Sequence, residues 1–136
     1  MLRILALLST AALFGGMLAY SFGFAPIMFK TLPPDAAGRT LRQAFPWYYL
    51  AVIALAAASA ALLFALDPLS AAIMAAVAAV AVYARQGLMP MINAARDRQL
   101  GGDVAAKTTF GRLHGASVLL NFAQLGGIVW VLARFP

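Results

Sequence analysis

The sequence contains no cysteine and no glutamate, and only 10% of its 136 residues are charged. Each shortage excludes something. Without thiols there can be no disulfide framework, no thiolate metal site and no cysteine nucleophile, and redox chemistry says nothing about the compartment. An ordinary soluble domain carries roughly 25% charged residues. A chain this short that is 64% hydrophobic, with a mean hydropathy of +0.89, would have to bury nearly every side chain in one small core, which surface-to-volume scaling forbids. A soluble enzyme is thereby excluded. The four acidic residues are all aspartates, Asp35, Asp67, Asp97 and Asp103, and none falls inside a long apolar run.

Those apolar runs dominate what is present. Ile4–Phe29, Gln43–Leu66, Pro68–Ala84 and Leu113–Ala133 are free of Lys, Arg and Asp, and about 20 helical residues cross a bilayer. The reading is an all-α integral membrane protein: one domain, 1–136, folded as a four-transmembrane-helix bundle with spans at about 4–29, 46–66, 69–90 and 110–133. The first run is too long, and too sparsely preceded by basic residues, for a cleaved signal peptide, so it is read as a retained span. Pro33-Pro34 stops the first helix, Asp35 is expected to cap a short new one, and Phe45-Pro46 to open the second span with proline in its first turn. Asp67-Pro68 makes a tight link. Gly101-Gly102 followed by Asp103 reads as a turn and an N-cap, so spans three and four should form a long helical hairpin, from about Leu69 to Gln99 and from about Val104 to Arg134.

The charge of +6 is unevenly placed. Lys30, Arg39, Arg42, Arg85, Arg96, Arg98, Lys107 and Arg112 lie at one end of the spans, and Arg3 and Arg134 at the other. This distribution makes an anionic leaflet, and not nucleic acid, the counter-surface. The positive-inside rule places the crowded end in the cytoplasm and both termini outside, in a cell (inner) membrane. Trp47, Tyr48 and Tyr49 add an aromatic belt at that level.

Span four carries the clearest polar pattern. His114, Ser117, Asn121 and Gln124 are spaced 3, 4 and 3 apart and fall on one helix face, which should point into the bundle or a wet cavity because polar groups facing lipid are costly. Interhelical hydrogen bonding accounts for such a stripe; a ligand-lined groove is the other reading, with Arg85, Tyr48, Tyr49 and Lys30 as further lining candidates. Arg85 lies inside the helical reading of span three, just past its uncharged run, and either snorkels or pairs with Asp97. The basic cluster would suit a phosphate or carboxylate head group. A metal site would have to join His114 to the thioethers Met28, Met89 and Met91, but methionine is an ordinary packing residue in apolar helices.

No catalytic constellation is legible. There is no carboxylate in a span, no phosphate loop and no HExxH motif, and His114 with Ser117 lacks an orienting acid. The reading leans away from an enzyme and expects no cofactor. Gly15, Gly16, Ala19, Gly23 and Gly126-Gly127 permit close helix contact, leaving a small-residue face for a second copy of the chain or a larger membrane complex.

Several strings are more specific in combination. Gly16 with Phe24-Ala-Pro-Ile-Met-Phe29, Leu32-Pro33, Gly38 and Phe45-Pro-Trp-Tyr-Tyr49, then Ala84-Arg85, Pro90 and Phe110-Gly-Arg-Leu-His114-Gly-Ala-Ser117-Val-Leu-Leu-Asn121, resemble the transmembrane-protein-205-like family over essentially the whole chain. The resemblance implies a four-span membrane protein with a domain of unknown function, and marks Arg85, His114, Ser117 and Asn121 as family-like positions. It brings no activity. Three functions follow as expectations: a polar groove near the cytoplasmic side that binds or helps transport a small polar or anionic ligand, such as a lipid head group or ion; a structural accessory subunit of a larger membrane complex; or a metal- or haem-linked membrane protein.

Overall fold

The computed structural model describes residues 1–135. It consists of four long helices, α1 (Leu2–Thr31), α2 (Pro34–Leu63), α3 (Pro68–Leu100) and α4 (Val104–Ala133), each long and apolar enough to cross a membrane. A 30-residue helix measures about 45 Å, while the hydrocarbon is about 30 Å thick. The helices therefore project well past the apolar layer. The chain is a multi-pass membrane protein built as a four-helix bundle.

The links follow from local chemistry. Asp67 caps α3, its carboxylate accepting hydrogen bonds from the Leu69 and Ser70 N–H groups and, at 2.6 Å, from the Ser70 hydroxyl. Asp103 caps α4 by accepting from the Ala105 and Ala106 N–H groups. Each cap satisfies donors that the first helical turn leaves unpaired. Between α3 and α4 the chain reverses at Gly102, whose φ of 99° is a left-handed conformation that glycine adopts without a Cβ clash. The expected long hairpin is present.

The α1–α2 connection differs from expectation. No short separate helix forms; α2 runs unbroken from Pro34 and carries Pro46 in its interior. Asp35 is not the cap. Pro33, in extended backbone, holds that position, and Asp35 lies in the first turn, where a carboxylate complements the helix dipole. The connection between α1 and α2 is too short to let a separate helix turn away.

Two helices change gauge along their length. Ala19–Phe24 of α1 and Ala84–Leu88 of α3 are π-helical, with the Ala25 N–H donating to the Tyr20 carbonyl and the Met89 N–H to the Ala84 carbonyl. Each segment runs into a proline, Pro26 or Pro90, that cannot donate to the preceding turn. Widening by one residue is a common way for a helix to absorb a broken ladder.

In the packed bundle α1 lies against α2, α2 against α3 and α3 against α4, while α4 meets α1 more sparsely. Leu13, Met17, Met74, Ile128 and Val131 fill the centre at 1% exposure or less, with Ala6, Ala56 and Ala81 admitting close approach. A Cβ on Gly127 would lie 3.3 Å from Ile73 Cγ2, so glycine there sets the α3–α4 spacing. Ile4, Leu8, Phe64 and Leu119 point outward, as lipid-facing side chains do.

Candidate functional site

The polar stripe of α4 divides into two halves. Gln124 is buried, and its Nε2 donates to the Val77 carbonyl of α3 at 3.0 Å. Asn121 is half-buried and fully engaged: its Oδ1 accepts from the Tyr48 hydroxyl of α2 at 2.9 Å, and its Nδ2 donates to Ser21 Oγ of α1 at 3.2 Å. Tyr48 also stacks on Tyr20 with ring centroids 4.2 Å apart, and the Tyr20 hydroxyl is buried with no partner among the described residues. This deeper half ties three helices to α4.

The other half is open. Ser117 donates only to its own helix, to the His114 carbonyl at 2.7 Å, and His114 is exposed, stacked on Phe110 with nearly parallel rings. The stripe thus runs from the packed bundle, where Asn121 and Gln124 are held, to an open cleft at this end. Both side chains line a groove of about 630 Å³, within the usual range for ligand pockets.

Side chains from every helix form the groove. Ala25 and Phe29 come from α1, while α2 contributes Asp35, Arg39, Leu41, Arg42, Phe45 and Tyr49; α3 gives Met89, Ile92, Asn93 and Arg96, and α4 adds Phe110, His114 and Ser117. Three guanidinium groups thus stand at one apolar cleft. Arg42 is committed to Asp97 in a two-pronged pair at 2.6 and 3.0 Å. Arg96 donates to Gln99 and lies over the Phe110 ring, 5.6 Å from its centroid, and forms no ion pair among the described residues.

Among the expected lining residues, the groove gathers Tyr49, His114 and Ser117. Tyr48, Asn121 and Gln124 lie beneath it in the packed core. Lys30 is exposed on the last turn of α1, away from the groove. Arg85 does not pair with Asp97, which Arg42 has taken; it donates from Nε to the Pro46 carbonyl at 3.3 Å. That contact depends on α2 continuing past Pro46. The thioethers do not converge on His114: Met89 lines the groove, Met91 is 51% exposed on another side, and Met28 is not in the lining. No group of three metal-ligating His, Cys, Asp or Glu side chains occurs among the described residues.

Asn93, Tyr20 and Ser21 carry no sequence pattern that marks them, and Phe110 is marked only as the start of the Phe110–Asn121 string. Asn93 is the one uncharged amide on the basic-end half of α3 that faces the groove, masked in the sequence by the charged residues that follow it. Arg39, Arg42 and Arg96 were legible as a basic cluster, though not as groove walls.

Fold and site together define a small four-helix membrane protein with a basic, amphipathic groove at one end. The chain belongs to the family described as a domain of unknown function (DUF4149), whose model matches residues 8–100. The match takes in α1 from its second turn, all of α2 and all of α3. The polar stripe of α4 lies beyond it. No match was found among curated proteins, and none among solved structures.

Proposed function

We propose that the groove binds a small polar or anionic group, with a phosphate or carboxylate such as a lipid head group as its best match. One observation carries this reading: Arg39 and Arg96, neither held in an ion pair among the described residues, converge from α2 and α3 beside the Asp97-paired Arg42 on a cleft whose remaining walls are largely apolar. Basic pockets between spans are suited to anionic head groups. The groove lies at the end with eight basic residues against two, which the positive-inside rule assigns to the cytoplasmic side of a cell membrane, with both termini outside. The specific resemblance to the transmembrane-protein-205-like family forms part of the same reading.

Binding is favoured over conduction. Beyond Gln124 the interior is closed by Leu13, Met17, Met74 and Ile128, and the hydroxyls buried there are spent on close packing, Thr10 on the Ala6 carbonyl and Ser59 on Ser9. The test is native mass spectrometry of gently solubilised protein. A co-purifying anionic species should be present on the wild type and depleted on Arg39→Gln/Arg96→Gln; equal occupancy on both would defeat the proposal.

A second reading, an accessory subunit of a larger membrane complex or a self-associating bundle, is supported by the full engagement of Asn121 and Gln124. Their half of the stripe serves packing. The metal- or haem-linked reading has no comparable support, since His114 gains only the single thioether of Met89 in the groove.

A further inference from the structure

The two halves of the bundle repeat one another. In the first helix of each, the four buried residues of the opening stretch, Ala6, Thr10, Leu13 and Met17, are followed 64 positions later by Ser70, Met74, Val77 and Ala81, which are also buried. The same interval relates Gly23-Phe24-Ala25-Pro26-Ile27-Met28 to Gly87-Leu88-Met89-Pro90-Met91-Ile92. It also relates the two π-type bonds, from Ala25 to the Tyr20 carbonyl and from Met89 to the Ala84 carbonyl. Coincidence of burial, proline and backbone gauge at one spacing is more than helical periodicity supplies.

Past the π segments the second copy is longer, with 12 residues in Met89–Leu100 against 7 in Ala25–Thr31. In the returning helices the interval that aligns burial is 69, at which Ala37, Ala56 and Ser59 correspond to the buried Ala106, Leu125 and Ile128, and Leu41, Val52 and Leu63 to the half-buried Phe110, Asn121 and Leu132. Helix α1 thus maps on α3 and α2 on α4. The neighbour order of the bundle, α1 to α2 to α3 to α4 and more sparsely back to α1, is that of two hairpins set side by side about an axis along the bundle, with the α4–α1 seam the looser one. Both hairpins begin at the same end of the bundle, so the repeats are parallel, and repeat interfaces of this kind are where membrane proteins place their ligand sites.

The groove lies on that interface. Four corresponding pairs line it: Ala25 with Met89, Phe29 with Asn93, Leu41 with Phe110, and Phe45 with His114. The pairs are not alike. The α1–α2 hairpin offers the rings of Phe29, Phe45 and Tyr49, whereas the α3–α4 hairpin offers Asn93, His114, Ser117 and Arg96 beside the apolar Met89, Ile92 and Phe110, and Arg39 reaches the groove from α2 opposite Arg96. Arg42, on the aromatic side, is already neutralised by Asp97.

Building on the anion-binding reading, we infer that the groove is formed between two copies of one helical hairpin whose walls have diverged, the α1–α2 wall receiving a hydrocarbon chain and the α3–α4 wall an anionic head. The occupant is then an anionic lipid, not a free anion. An apolar chain gains by covering aromatic surface wherever the rim is wet, and the head gains charge-assisted hydrogen bonds from Arg96.

The full chain in detergent, titrated separately with dioleoyl-phosphatidylglycerol, dihexanoyl-phosphatidylglycerol, dioleoyl-phosphatidylcholine and inorganic phosphate and read by native mass spectrometry, tests this division. The wild type should prefer the long-chain anionic lipid by about tenfold over the phosphatidylcholine, the scale of one charge-assisted hydrogen bond, and by about tenfold or more over the short-chain lipid and phosphate, which cover less apolar surface. Arg96→Gln/His114→Phe should erase the preference for the anionic head and keep the preference for long chains. Phe29→Asn, at an exposed position and bearing its counterpart's side chain, should do the reverse. If each variant weakens both preferences alike, or if inorganic phosphate binds as tightly as the lipid, the divided groove is overturned while anion binding stands. A wild type indifferent to head-group charge overturns both.

Discussion

Asn121 is the residue on which most of the bundle's polar chemistry converges, since it accepts from Tyr48 and donates to Ser21 at once. Replacing it with leucine strands two polar groups, whereas Gln124→Leu removes one bond to a carbonyl already inside the ladder of α3. Asn121→Leu should therefore cost about 1–3 kcal/mol and Gln124→Leu about 0.6–1 kcal/mol, measured by denaturation in mixed micelles. Adding Tyr48→Phe to Asn121→Leu should recover part of the loss, because the stranded hydroxyl is gone; strict additivity would show that the bond contributes nothing. Asp67 offers a pH test. The Ser70 hydroxyl first, then the Ser70 N–H and Arg134, hold its carboxyl below the usual carboxylate range. A depressed folded value means that its stabilisation is complete above the unfolded pKa of about 3.9 and is lost as pH falls through the folded value. The stability gap between the wild type and Asp67→Asn should be constant at neutral pH and close only in that acidic window; a gap that persists there would assign the cap's contribution to something other than its charge.

Among the elements, the α3–α4 turn is the most sharply specified by its backbone. Gly102 occupies positive φ while Gly101 does not. Gly102→Ala should cost about 1 kcal/mol and Gly101→Ala appreciably less, its added Cβ meeting only ordinary contacts at 3.4 and 3.5 Å. Thermal unfolding of the two variants decides this, and equal losses would mean that the turn relaxes to another conformation. The turn was legible in the sequence because two adjacent glycines and an aspartate are local signals. The unbroken α2 was not. Proline at position 46 reads equally as a first-turn residue or as an interior one, and what selects the interior reading is the packing of the preceding turns against neighbouring helices, with Ala37 and Leu41 buried.

For the whole molecule, sidedness is the most direct prediction. Leu66→Cys sits in the α2–α3 link at a partly exposed position, and Gly101→Cys in the opposite turn. An impermeant maleimide applied to intact cells should label the first and spare the second, as the proposed orientation, with the end richer in Lys and Arg in the cytoplasm, requires. The reverse pattern would invert the orientation of the groove. Ser70 is unsuited to this experiment: it is 2% exposed and bonded to Asp67.

The sequence by itself determined the membrane class, the four spans, the split of eight basic residues against two and the Gly101-Gly102 turn with its Asp103 cap, because hydropathy and capping act over a few neighbouring residues. Only the tertiary structure decided which polar residues are consumed in packing and which remain open, and it gave Asp97 to Arg42 instead of Arg85. The reason lies in the solvent. Where lipid is as apolar as the core, no amphipathic stripe distinguishes inward from outward positions. Axial spacing then puts His114, Ser117, Asn121 and Gln124 on one face without saying where along that face the bundle parts to form a groove.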